Sequence, residues 1–564
     1  MAAPPADAAA LPTPRSQEQT AQKGVAFIRH LTLRPRRVVH RIGKARVSVV
    51  VVLLFTSAYL VYHLCFYDDF YLPTRAPGRH ASNHAPPSEW WAEFFARLES
   101  TRITAPSIKI KNWDPAINWK PNTHAARPDL VKLRSDDEAR YRKSHTAFVD
   151  QLAQFGSHLP YDANTTGIVT TAGVANFGQV ISLVLTARRA GSHLPIQIYL
   201  DSTSPWVDLI CSKTLPQYKA TCLSIQDTWA GIVVPKFTRF QWKVLSIIVS
   251  SFQNVLFLDA DCLPILNPDK IFHQGSEPFT STGLITWPDF WTSTASPLFY
   301  KVAGDIDIPP VNSRATSESG ILVYDKARHA DTLLLAAYYN YNGPKHYYPL
   351  LSQHSAGEGD KETFLHAALV LEALRQKGMY KQQPSAWMKP GVGVKKGYYD
   401  VKKPPVVHGR SAIDKWTGMF LLQMDPMEDY RAVMAAIQEA NNKRDETEAI
   451  VVEDFLTNST FLDALGDVKL KHHGHSMFFH HSGVKPDFTR VLDQKWGLVQ
   501  MDEAGRYVRM WGHIGWVIDT LGRDVEKLLW EDSIKVYCQE ELVQFKRLRD
   551  VCTKMREIHG QLYA

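Results

Sequence analysis

The chain has 564 residues, 45% hydrophobic, 11% aromatic and 21% charged, which leaves room for a large folded core and excludes a wholly disordered chain. Lys and Arg number 64 against 57 Asp and Glu, a net charge of +7 that raises nucleic acid or an anionic membrane as partners. Residues 1–46 hold nine Lys or Arg and two acids and carry that +7 alone; the rest holds 55 of each sign, and this balance removes the compositional case for nucleic acid.

The basic tail runs into Val47–Phe66, VSVVVVLLFTSAYLVYHLCF, which has no formal charge. Twenty helical residues span about 30 Å, the thickness of a bilayer's hydrocarbon core. Six basic residues from Arg34 to Arg46 precede it and Asp68 and Asp69 follow, so the charge rule puts the N-terminus in the cytosol. The segment is too long for a cleaved leader and lacks a small-residue cleavage site. A single-pass type II protein, anchored by this helix and lumenal beyond it, is expected. Two sequons, Asn164-Thr165-Thr166 and Asn458-Ser459-Thr460, fit a secretory compartment as candidate glycosylation sites. Of six cysteines, Cys65 lies at the membrane boundary and Cys262 beside the motif below. That leaves Cys211 with Cys222 and Cys538 with Cys552, each pair closing a short loop, although spacing does not fix connectivity.

From Tyr67 to about Asp150, recurrent prolines and little periodicity read as a stem, with a helix around Glu89–Glu99. Regular α/β signals begin near Gly167. Gly167–Thr171 reads as a buried strand, Gln179–Ala190 as a helix and Pro195–Leu200 as a second strand, a βαβ unit with a parallel sheet. Phe240–Phe252 is a helix candidate and Asn254–Leu258 a fully buried strand. The residues after about Arg506 read as a helical, charged packing extension.

The strand ending at Leu258 runs into Asp259-Ala260-Asp261. Ligands bind at the carboxyl ends of strands in open α/β sheets, and alternate residues of an extended segment point the same way, so the two carboxylates are expected to converge on one hard cation. The same letters open haloacid-dehalogenase-like phosphohydrolases, where the first Asp is the nucleophile; here Leu263 stands where those carry Thr or Val, and about ninety α/β residues come first. Lys243, on the helix before this strand, could reach a phosphate or sit on a solvated helix face. Glu318-Ser319-Gly320 precedes the strand-like Ile321–Tyr324 and brings a carboxylate and a close-approach glycine together. Asp360 and Glu362 open the helix Thr363–Leu374, where capping and sugar contact are both open readings. His472, His473 and His475 lack regular zinc spacing and read as a surface cluster.

The stretches FQWK from Phe240, SSFQNVLFLDADCLPILNP from Ser250, ESG from Glu318, YYNYNGPKHYYPLLSQHSAGEGDKETF from Tyr338 and FFHHSGVKP from Phe478 resemble fungal glycosyltransferase family 71. The resemblance covers about residues 165–490 and is nearer the α-1,2 branch than the α-1,3 capping branch. It implies Golgi α-mannosyltransferases of outer-chain mannan, a GT-A fold, GDP-mannose as donor and Mn2+ as cofactor. Partners implied are a glycan acceptor, mannan or glycoprotein, and other Golgi mannosyltransferases. On that pattern Asp259, Asp261 and His480 hold the metal, with His481 as the other candidate, and Lys485 meets the phosphates. Thr170, Thr171 and Gly173 follow the first strand, where GT-A enzymes receive the nucleotide. An α-mannosidic product from α-linked GDP-mannose requires retention, and Asp360 and Glu318 are the candidates to line the reacting face, as nucleophile or beside a same-face attack. Tyr338, Tyr339, Tyr341, Tyr347 and Tyr348 could stack on acceptor sugars, though buried structural tyrosines are preferred for most. The expected organisation is a cytosolic tail (1–46), a membrane anchor (47–66), a stem (67–160), a GT-A-type α/β catalytic domain (161–505) and a C-terminal helical extension (506–564). A catalytically silent, lectin-like scaffold is the remaining class, disfavoured by the intact Asp259, Asp261 and His480 set.

Overall fold

The computed structural model describes residues 88–110, 117–120, 126–383, 386, 397–444, 448–450, 465, 468–471 and 474–563. The chain divides into two units, Met1–Tyr71 and Leu72–Ala564, and every described residue belongs to the second. The expected anchor Val47–Phe66, the sequon Asn458, and His472 and His473 lie outside the described residues. Among those described, no helix is long and apolar enough to cross a membrane.

In chain order, α1 (Ser88–Ser100) and α2 (Ser135–Gly156) precede the unit β1 (Asp162–Ala172), α3 (Phe177–Arg189) and β2 (Ile196–Leu200). Next come β3 (Ala220–Ser224), α4 (Gln241–Val249), β4 (Phe252–Leu258), β5 (Cys262–Pro264), β6 (Leu284–Thr292), β7 (Ala315–Asp325), α5 (Lys326–Tyr341) and α6 (Thr363–Gln376). Then follow β8 (Tyr399–Asp400), β9 (Val406–Arg410), β10 (Trp416–Met424), α7 (Pro426–Asn441), β11 (Ser476–His481), α8 (Ile514–Leu521), α9 (Val525–Tyr537) and α10 (Lys546–Leu562).

The main sheet has the order β3-β2-β1-β4-β7-β6-β8. β1 pairs in parallel with both β2 and β4, Ile168 lying opposite Ile196 on one side and Leu256 on the other. β7 then runs antiparallel to β4, so the sheet is mixed. Buried on both faces, β4 needs apolar residues throughout, and Val255, Leu256, Phe257 and Leu258 are fully buried. The period of two sorts them: Val255 and Phe257 join a core with α1, α2, α4, α5 and α6, whereas Leu256 and Leu258 face a core with α3, α9 and α10. A second, antiparallel sheet, β5-β11-β10-β9, packs into the latter core.

The segment expected as a stem is, from Ser88 onward, part of the folded body. Trp91, Phe94 and Leu98 of α1 and Tyr141, Phe148 and Leu152 of α2 are buried in the first core. Phe148 stacks on Tyr338 with ring centroids 4.5 Å apart. Each such side chain contributes about 1.5–3 kcal/mol on burial, so these helices belong to the core rather than to a spacer. The C-terminal extension is fastened too: Arg189 of α3 grips Asp532 of α9 with bonds of 2.5 and 2.7 Å. Disulfides join Cys211 to Cys222 and Cys538 to Cys552, closing separations of 11 and 14 residues. Loops of this size are worth about 3 kcal/mol each.

Candidate active site

The Asp259–Asp261 motif is the junction between the two sheets. β4 ends at Leu258, the Asp259 N–H still bonds the Gly320 carbonyl of β7 at 2.8 Å, and a tight turn follows in which the Cys262 N–H donates to the Asp259 carbonyl at 2.9 Å. Three residues later the chain has joined β11 of the second sheet. The turn sends the two carboxylates to different partners, Asp259 to Lys243 and Asp261 to Lys485.

Asp259 faces Lys243. The Nζ of Lys243 donates to Asp259 Oδ2 at 2.9 Å and to the Ser319 carbonyl and hydroxyl at 2.8 and 2.9 Å, and lies 3.2 Å from Asp360 Oδ2. Burial works against this ammonium, but Asp259 and Asp360 hold its pKa above the ordinary value. Lys243 is only 6% exposed and its hydrogens are committed, so it braces two carboxylates rather than lying on a solvated face. Asp360 likewise does not cap α6 with its carboxylate. Its carbonyl accepts from Thr363 while the carboxylate turns to Lys243, and burial raises its pKa. Burial also pushes Asp259 up to about 6, with Asp261 and Asp360 adding to the rise and Lys243 opposing it.

Asp261 faces the second sheet. Lys485 Nζ bonds its Oδ2 at short range and the His481 carbonyl at 2.5 Å. Burial opposes ionisation here too, yet Lys485 and His480 hold Asp261 down at about 2. His480 sits on β11 directly opposite Cys262 of β5. Its Nε2 is 3.7 Å from Asp261 Oδ1 and its Nδ1 3.6 Å from Glu318 Oε2. Against burial, His480 and Lys243 keep Glu318 ionised below its usual range, and its Oε1 accepts from the Gly320 N–H at 2.7 Å. His481, one residue on, points the other way among the rings of Phe420, Phe479 and Trp511, and burial lowers it to about 3. Strand alternation thus separates the two histidines.

Gly320 is the close-approach glycine: a Cβ there would lie 2.7 Å from Cys262 Sγ and 3.3 Å from His480 Cε1. Asp261, Cys262 and His480 place one donor atom each within 4.8 Å of one another. The oxygen of Asp261 and the nitrogen of His480, whose ring makes no hydrogen bond, suit a divalent cation, with Glu318 behind the imidazole in the usual outer-shell place. Asp259, its side chain 32% exposed, lies beside this group rather than in it.

A cleft of about 290 Å3 opens at the carboxyl ends of β1 and β2, walled by Thr171, Gly173, Asp201, Arg239, Lys243 and Asp259 among others. Thr170 is fully buried and does not line it. Two cleft residues escape the sequence reading. Asp201 follows β2 as Asp259 follows β4, a signal the strand-end rule could have used. Arg239 adopts a left-handed φ of 49°, a conformation costly for a non-glycine residue and concentrated at functional positions. Tyr338, Tyr339, Tyr347 and Tyr348 are buried, as the structural reading expects. Asn164 is exposed at the start of β1 with φ 62°, and His475 pairs with Glu428 at 3.2 Å.

Fold and site together define an α/β protein whose carboxylates and fixed cations gather beside a cleft at a sheet's switch point. A family model described as "Mannosyltransferase putative" matches residues 165–315 and 311–391. The chain is 32% identical over 400 residues to the alpha-1,2-mannosyltransferase MNN2 of Saccharomyces cerevisiae, a match spanning 63% of this chain and 62% of that one. It is 29% identical over 485 residues to the alpha-1,2-mannosyltransferase MNN21 of Candida albicans, spanning 76% and 66%. Over much of its length the chain is similar to these mannosyltransferases. It spans just under two thirds of the length of these two relatives. Among solved structures, the glycosyltransferase GlyE of Streptococcus pneumoniae is 15% identical over 36% of this chain and 43% of that one, with a TM-score of 0.24, too low to assign a fold.

Proposed function

We propose that the chain is a GT-A-type α-mannosyltransferase that moves mannose from GDP-mannose to a mannose hydroxyl of a mannan or glycoprotein glycan. The α-1,2 linkage is favoured over α-1,3 because the relatives above carry α-1,2 names. The phosphohydrolase alternative gains no support: the relatives above are named mannosyltransferases. The carrying observation is the sheet junction itself, which sets Asp259, Asp261, His480 and Lys485 beside a cleft at the strand ends.

In this reading the nucleotide enters between Thr171, Gly173 and Asp201, with its diphosphate towards Arg239 on the cleft wall and towards Lys485, which is held by Asp261. Asp261 and His480 would hold Mn2+, aided by Asp259; when bound, the ion neutralises charge building on the departing diphosphate. Lys485, held here by Asp261, would be the cation that meets the phosphates. Lys243 fixes Asp259 and Asp360, while Glu318 orients His480. With both candidate nucleophiles tied to protein partners, retention by same-face attack assisted by the leaving phosphate is favoured. Location in the Golgi membrane as a single-pass type II protein, with Val47–Phe66 as anchor, completes the proposal.

The test is incubation of the detergent-purified chain with GDP-mannose, Mn2+ and α-mannobiose, followed by linkage analysis. An α-1,2-linked trisaccharide is expected. Transfer only from UDP-sugars would sink the donor, and unchanged activity in Asp261→Ala would sink the site.

A further inference from the structure

A family-type Mn2+ site is built from hard donors, but the group found at the sheet junction contains sulfur. Cys262 and His480 form a directly opposed antiparallel pair, so their side chains leave the same face of the second sheet. The two strands, not loops, set that approach. Asp261 adds a carboxylate oxygen, and the three donor atoms lie within 4.8 Å of one another. Cys262 is fully buried and is the free cysteine among the described residues. His480 is 7% exposed, neither ring nitrogen is within hydrogen-bonding distance of a partner, and the nearest carboxylate oxygens stand 3.6 and 3.7 Å away. A buried imidazole left in this state, with Nε2 turned towards Asp261 and a carboxylate behind Nδ1, has the orientation of a metal ligand backed by its outer shell.

We propose that Cys262 Sγ is a ligand of this centre, so that Asp261, Cys262 and His480 Nε2 form a mixed oxygen, sulfur and nitrogen site that takes a thiolate-preferring divalent cation of the zinc class. Three protein ligands with an open position are the pattern of reactive zinc centres, and thiolate favours zinc over manganese. Binding breaks the Cys262 S–H bond, releases the proton to solvent and forms a metal–sulfur bond from the sulfur electron pair; no electron is transferred. The inference rests on the metal-site part of the proposed function and sharpens it: the centre would hold zinc more tightly than Mn2+, and zinc would compete with Mn2+ there.

The experiment is a titration of the metal-free full chain in detergent with Co2+, followed by absorption, and then displacement with Zn2+ or Mn2+. Expected are a thiolate-to-cobalt charge-transfer band in the near ultraviolet, saturating at one equivalent, and its loss in Cys262→Ser. Zn2+ affinity in that variant should fall about tenfold or more, while Mn2+ affinity stays within about threefold. Cys65→Ala should keep the band. Co2+ binding without a charge-transfer band, or a band that survives Cys262→Ser, overturns the sulfur ligand and leaves the Mn2+ reading standing. No binding of Co2+ or Mn2+ overturns both. Should Cys262→Ser fail to fold by circular dichroism, Cys262→Ala serves in its place, and the wild-type band alone still decides whether sulfur is bound.

Discussion

The two aspartates of one turn live in opposite environments. Asp259 is rooted in the main sheet, shares one lysine with a second buried carboxylate, and is pushed up to about 6. Asp261 is turned to the second sheet, has Lys485 together with a histidine it shares with Glu318, and is held at about 2. Same residue type and two positions apart, they differ because the number of cations per carboxylate differs. One side of the junction is a brace and the other a poised ligand set, and this division can be tested from its strongest consequence downward.

Removing the brace should cost the most. Lys243→Met strands Asp259 and the buried Asp360 without a cation, and breaking such a pair costs about 3–5 kcal/mol, read as a lower urea midpoint. Lys485→Met, which takes the lysine from one buried carboxylate rather than two, should lower the urea midpoint less than Lys243→Met and lower the transfer rate by roughly 100- to 1,000-fold, the size of losing one donor to developing charge. Equal stability losses in the two variants would erase the distinction. Glu318→Gln should loosen the cation site about 10- to 100-fold, measured by competition with a metal indicator, because His480 loses its backing carboxylate.

The smallest effect lies in the pH dependence of folding. A carboxyl raised in the folded state, Asp259, contributes stability that is full below its unfolded pKa and is lost as pH rises through about 6. Asp261, lowered in the folded state, contributes stability above its unfolded pKa that is lost as pH falls towards about 2. Denaturation of Asp259→Asn against wild type should therefore gain in relative stability between about pH 4 and 6. Asp261→Asn should show its full relative loss from about pH 4 upward, narrowing as pH falls towards about 2. Parallel curves for the two variants would show the turn to be electrically uniform.

How much of this the sequence carries depends on distance along the chain. The β1-α3-β2 unit, α4 and β4 are legible because each rests on local periodicity, and the Glu318–Gly320 approach is legible because a strand follows it. The opposition of His480 to Cys262 is not, since it comes from strand pairing between remote segments and no local spacing encodes it. For Asp360 the local sequence leaves helix capping and sugar contact both open; its carboxylate does not cap the helix, because Lys243 arrives from another element. The stem reading erred from Ser88 onward for the same reason: prolines are visible locally, but the hydrophobic surface waiting for Trp91 and Phe148 is not.

Gly320 contributes to the junction by what it lacks. Any carbon beyond the backbone would enter the gap between Cys262 and His480, so the approach of the two sheets is set by a vacancy one methyl wide. Gly320→Ala would act as a wedge that changes no charge and removes no donor, prying the strands apart at the one point where both sheets meet the ligand group. Loss of cation binding with an unaltered ionisable set would show that the spacing of the sheets, as much as the chemistry of their side chains, governs what this centre can hold.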